Sequence, residues 1–198
     1  PRPSFSFGIE ECVLCQSKLS EMKIHLPREH PEYTLLQTIR ELADENIFQD
    51  LDLVFESLST TLHTSSFLIC LASPVLHKMM CGNFSESKGK RLMLKDVDGK
   101  IFIKALDLWC GKNDCQEVEQ CEVQSLASVA DRFQMTGVLS VLEEALVGQL
   151  SVDVCGWFLT WSGCCGMRQL EAEVLKMAAR RFEEFAKTGD FLRMGEEA

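Results

Sequence analysis

Apolar residues set a helical rhythm from Tyr33 onward: Leu35, Leu36, Ile39 and Leu42 fall on one face before the polar break Asp44-Glu45-Asn46. The spacing predicts one short amphipathic helix. Asp52-Leu53-Val54-Phe55, with its β-branched and aromatic residues, predicts a strand, and Thr60 to His63 a second strand completing a hairpin. Thr64 or Ser65 is placed to cap a helix through Phe67, Leu68 and Leu71, and Ser73-Pro74 supplies a fresh N-cap followed by proline at the first helical position. Cys81-Gly82-Asn83 stops that second helix. Leu92-Met93-Leu94 reads as a third strand ahead of an Asp98-Gly99 turn signal. Helical periods then follow through Ile101 to Trp109, Val123 to Phe133 and Val138 to Leu146, separated by a polar loop from Gly111 to Gln120 and by Gly137. Leu170, Val174, Met177, Ala178, Phe182 and Phe185 predict one long final helix. A few short strands at the front with helices thereafter make an α+β unit, a small sheet packed with helices.

Composition narrows the classes. A chain of 198 residues, 46% hydrophobic and 25% charged, can bury a substantial core. No apolar run reaches bilayer-spanning length, so no membrane partner is expected. The net charge of −10 and the absence of a dense basic stripe argue against nucleic acid. Several of the ten cysteines lie among apolar neighbours, as in Phe67-Leu68-Ile69-Cys70-Leu71, which suits free thiols in a reducing compartment, cytoplasmic or nuclear.

Residues 1–33 hold four of the five prolines without a sustained apolar period and read as a linker or docking tail. Within them Cys12, Cys15, His25 and His30 follow a zinc-finger order, but the central spacer is too short for the usual hairpin and helix, so free thiols in a tail are the competing reading. Cys164-Cys165 sits between glycines in a helix connection, and adjacent cysteines rarely satisfy disulfide geometry. Glu143-Glu144 and Glu183-Glu184 fall on polar helix faces and read as solvated positions rather than acid/base pairs. With no phosphate loop, nucleophilic triad or dinucleotide fingerprint, the sequence offers nothing for an enzyme or a cofactor to rest on.

Five pieces in order resemble the BTB/POZ family across residues 34–148: Asp52 to Phe55, Phe67 to Pro74, Leu92 to Val97, Phe102 to Gly111, and Leu126 to Met135 with Ala130-Asp131 inside it. Residues 149–198 are similar to the first helices of a BACK segment. The resemblance implies a non-catalytic module that self-associates and bridges an unknown protein substrate to a cullin-three ubiquitin-ligase scaffold. The alternative is an oligomerisation scaffold in a transcriptional or other assembly, with no ligase role. Phe84 and Glu86, in Phe84-Ser85-Glu86, look like the hydrophobic-x-Glu loop presented to a cullin, and an ordinary surface loop is the competing reading. Leu35, Leu36, Ile39, Phe67 and Leu71 are where a homodimer contact is expected. One departure is informative. The basic residue that partners the strand aspartate in repressor members is replaced by Ser65-Ser66, and His63 is displaced by two positions, so Asp52 is expected to lack its partner.

Overall fold

The computed structural model describes residues 23–25, 33–56, 60–82, 90–111 and 117–194. Its centre is a three-stranded sheet of β2 (Leu51–Phe55), β3 (Thr60–Thr64) and β4 (Arg91–Leu94), ordered β3-β2-β4. The hairpin predicted from β-branched and aromatic residues is present and antiparallel, with Asp52 opposite His63 and Leu53 opposite Leu62. The third strand joins β2 on its other side in parallel. Leu51, Leu53 and Phe55 point one way into the core, as a period of two demands, and Leu92 and Leu94 join them.

Helix α1 (Tyr33–Asp44) precedes the sheet, and the two helices expected around Ser73 are α2 (Ser66–Ala72) and α3 (Pro74–Cys81). The Ser73 hydroxyl accepts from the Leu76 N–H at 3.1 Å and donates to the Phe133 carbonyl at 2.6 Å, so one buried side chain both caps α3 and ties it to a later helix. Asp98-Gly99 is not a turn but a helix start. The Asp98 carboxylate accepts from the Lys100 and Ile101 N–H groups and opens α4 (Gly99–Trp109). Gly99 is needed there for space, since an added Cβ would come within 2.8 Å of the Phe55 ring.

The polar loop from Gly111 contains a strand that the pattern does not reveal. β5 (Glu117–Glu119) pairs antiparallel with β1 (Lys23–His25), inside the proline-rich stretch, placing Lys23 opposite Glu119 and His25 opposite Glu117. After β5 come α5 (Gln120–Arg132), α6 (Thr136–Gly148), α7 (Val152–Trp161) and α8 (Arg168–Arg180). The predicted long final helix breaks at Arg181, whose φ of −117° and ψ of 38° are not helical, and restarts as α9 (Phe182–Phe185) before α10 (Gly189–Met194). Cys164-Cys165 does lie in a connection, a 3-10 turn from Ser162 to Cys165 ended by left-handed Gly166. Glu143 is more than a solvated position. Its carboxylate reaches across from α6 and accepts from the Gln169 and Leu170 N–H groups, satisfying the free donors at the start of α8. Glu184, by contrast, pairs with Arg181 on an exposed face.

One buried apolar cluster runs from Ala43 to Phe185. Phe55, Phe102 and Phe133 form its aromatic spine, with ring centroids 5.6 and 5.3 Å apart. Among the described residues no helix is long and apolar enough to cross a membrane.

Candidate functional site

Helix α1 is held by its polar face. Arg40 is 7% exposed and its guanidinium lies between Asp44 on the same helix and Asp107 of α4, while the Gln37 amide donates to the Gly111 carbonyl. A buried guanidinium requires such partners, because an unpaired one costs several kcal/mol. With that face turned to α4, the apolar stripe turns outward.

The outcome is an apolar face in solvent. Leu35 is 67% and Phe67 63% exposed, Leu71 is exposed, and Leu36 and Ile39 are half-buried. Leu42, on the same helical stripe, is also exposed, and the structure adds two residues that the helical pattern leaves out: Ile47 and Phe48 on the 3-10 turn after α1, Ile47 being 84% exposed. A hydrophobic pair in a polar linker carries no periodicity to find it by. Ile39, Leu42, Ala43, Phe48, Ser65, Phe67 and Leu68 line a groove of about 320 Å³ between α1 and α2. A contiguous apolar patch of this kind marks an interaction surface more often than a chance exposure.

Helix α2 is oriented by Asp50. Its carboxylate accepts from the Ser66 N–H at 2.7 Å and from the Ser66 hydroxyl at 2.9 Å. Neither Thr64 nor Ser65 provides the expected side-chain cap, and the Thr64 hydroxyl is buried without a hydrogen-bond partner. Burial raises the Asp50 pKa, but the two Ser66 donors and Lys90, 3.9 Å away, outweigh it and hold the carboxyl below its ordinary value. Asp52 does not lack a partner. His63 Nδ1 lies 2.7 Å from Asp52 Oδ1, across the β2–β3 hairpin. The hairpin register carries this pair, since a two-residue displacement in sequence leaves His63 directly opposite Asp52.

Phe84, Ser85 and Glu86 lie outside the described residues, as do Cys12, Cys15 and His30; His25 is described only as a position in β1. Among the described residues no three His, Cys, Asp or Glu side chains gather to hold a metal ion.

A family model for the BTB/POZ domain matches residues 39–150, more than half of the chain. The chain belongs to the BTB/POZ family. This BTB/POZ chain is 27% identical over 159 residues to Kelch-like protein 2 of Homo sapiens, covering 80% of the chain and 26% of that protein. It is 24% identical over 180 residues to human Kelch-like protein 30, covering 90% and 30%. It therefore spans between a quarter and a third of the length of these relatives. The BTB domain of human gigaxonin superposes with a TM-score of 0.46 at 16% identity, over 60% of this chain and 95% of that one.

Proposed function

We propose that this BTB/POZ chain is a self-associating protein-interaction module that links a substrate protein to a cullin-three ubiquitin-ligase scaffold. The exposed apolar face of α1, α2 and the intervening turn carries the interaction reading: Leu35, Ile47, Phe67 and Leu71 are large side chains left in water, each worth about 1.5–3 kcal/mol on full burial. A second copy is the occupant we assign to it. The similarity to Kelch-like proteins supports the ligase half at the level of the family. Phe84 and Glu86 are assigned to the cullin contact, the ring as an anchor and the carboxylate as a charge-assisted acceptor at its rim. Residues 149–198 are read as the start of a BACK segment. Chemistry on the substrate belongs to the partners, and the chain needs no cofactor.

Calorimetry with the cullin-three N-terminal region tests the reading. The folded chain is expected to bind, and the Phe84→Ala, Glu86→Ala double variant to lose at least about tenfold in affinity, roughly 1.4 kcal/mol. A folded chain that does not bind removes the adaptor role and leaves an oligomerisation scaffold.

A further inference from the structure

Strand β4 has β2 on one side and, among the described residues, no strand on the other. The ladder fixes which of its backbone groups stay free. The Asp52 N–H donates to the Lys90 carbonyl at 2.9 Å and the Glu56 N–H to the Leu94 carbonyl at 3.3 Å, so residues 90, 92 and 94 turn toward β2. Alternation along a parallel strand then turns the N–H and C=O groups of Arg91 and Met93 to the open edge. That edge is bounded at both ends. Lys90 and Asp96 have left-handed φ values of 48° and 53°, which bend the chain out of the strand, and the Arg132 guanidinium donates to the Lys95 and Asp96 carbonyls, each at 2.8 Å.

Side chains alternate as well. Leu92 and Leu94 are buried, whereas Arg91, Met93 and Lys95 are exposed on the outer face, Met93 at 53%. Among the described residues neither Arg91 nor Lys95 has an ion-pair partner, and Asp52, which lies beside Arg91 in the register, is engaged by His63. Together with Lys90 and Arg132 they make this short edge cationic on a chain of net charge −10.

We propose that the open edge of β4 is a docking site for an extended acidic segment of a partner protein, which adds as a further strand and presents acidic-x-apolar-x-acidic along the outer face. The Arg91 and Met93 backbone supplies the hydrogen bonds, the apolar residue covers Met93, and the two carboxylates meet Arg91 and Lys95. The pattern is symmetric, so it fits in either strand direction. The same cations reject a basic strand and a second copy of β4, whose own Arg91 and Lys95 would face them. The edge shares no residue with the apolar face of α1 and α2 and stands independently of the adaptor reading.

The probe is a synthetic peptide with the core Glu-Thr-Val-Thr-Glu and blocked termini, and its control has Lys in place of both Glu residues. Amide exchange of the intact chain is followed residue by residue by NMR, free and with peptide up to about 1 mM. In the free chain the Leu92 and Leu94 amides are expected to be protected by β2, and those of Arg91 and Met93 to exchange at least about tenfold faster. The acidic peptide is expected to slow Arg91 and Met93 at least about fivefold, while the lysine peptide leaves them unchanged. Arg91→Glu, at an exposed position, is expected to abolish the slowing at Met93. Met93→Pro removes an outward N–H without touching the ladder to β2 and is expected to abolish the slowing at Arg91. Three outcomes would overturn the proposal: Arg91 and Met93 amides already as protected as Leu92 and Leu94 in the free chain, an acidic peptide that leaves them fast, or equal slowing by both peptides.

Discussion

Asp50 shows how much a single carboxylate does near the apolar face. It satisfies the first N–H of α2 and the Ser66 hydroxyl, and it sits near Lys90. Its pKa in the fold is below that of the unfolded chain, so the folded state binds the proton less well. The stabilisation is therefore complete above the unfolded carboxylate value of about 3.9 and is lost as pH falls through the lower folded value. Thermal melts between about pH 3 and pH 7 are expected to show the Asp50→Asn chain less stable than wild type at neutral pH, with the gap closing toward the acid end. A gap that stays constant across that range would assign the loss to geometry rather than charge. The cap was not legible in the sequence, because Asp50 and Ser66 are 16 positions apart and local capping rules look three residues ahead. Asp52 and His63 lie nearly as far apart, yet the hairpin register makes them opposite.

At the scale of elements, α1 illustrates a helix whose exposed stripe follows from what its other side needs. Arg40 must lie against Asp107, so Leu35 and Leu42 cannot also be buried in the same chain. Together with Phe67 and Leu71 they form the face assigned to a second copy. Sedimentation of the wild-type chain at micromolar concentration is expected to give a dimer. The Ile39→Lys, Phe67→Asp double variant is expected to weaken association at least about thirtyfold, close to 2 kcal/mol. Leu175→Asp, on an exposed position of α8, is expected to leave the mass unchanged and serves as the control. A monomeric wild-type chain would overturn the assignment. Of the five residues that the family resemblance singles out for a homodimer contact, Leu35, Phe67 and Leu71 are exposed and Leu36 and Ile39 half-buried. Ile47 and Phe48 escaped notice because a short 3-10 turn has no period.

Across the whole molecule, the helices after residue 150 are continuous with the core of those before it. Glu143 of α6 caps α8, Ser128 of α5 meets Cys165, and Phe158, Met167 and Leu170 belong to the same buried cluster as Phe102 and Leu126. The chain is accordingly expected to melt in one transition. Removing residues 151–198 strips α5 and α6 of these partners, and calorimetry is expected to show the remaining piece melting at least about 5 °C lower. An unchanged midpoint would make the two parts independent units.

By itself the sequence determined where the main helices and central strands form, because hydrophobic period, caps such as Ser73-Pro74 and stops such as Gly82 act over a few residues. It also carried the α+β class through the order of those elements. Tertiary structure alone decided that β4 runs parallel to β2, that three residues of the proline-rich stretch pair with β5, and that Asp50 rather than Ser65 caps α2. The physical reason is common to all three. An amphipathic pattern records which side of an element avoids water, whereas the partner that covers that side, or leaves it bare, is chosen by contacts between residues distant in the chain.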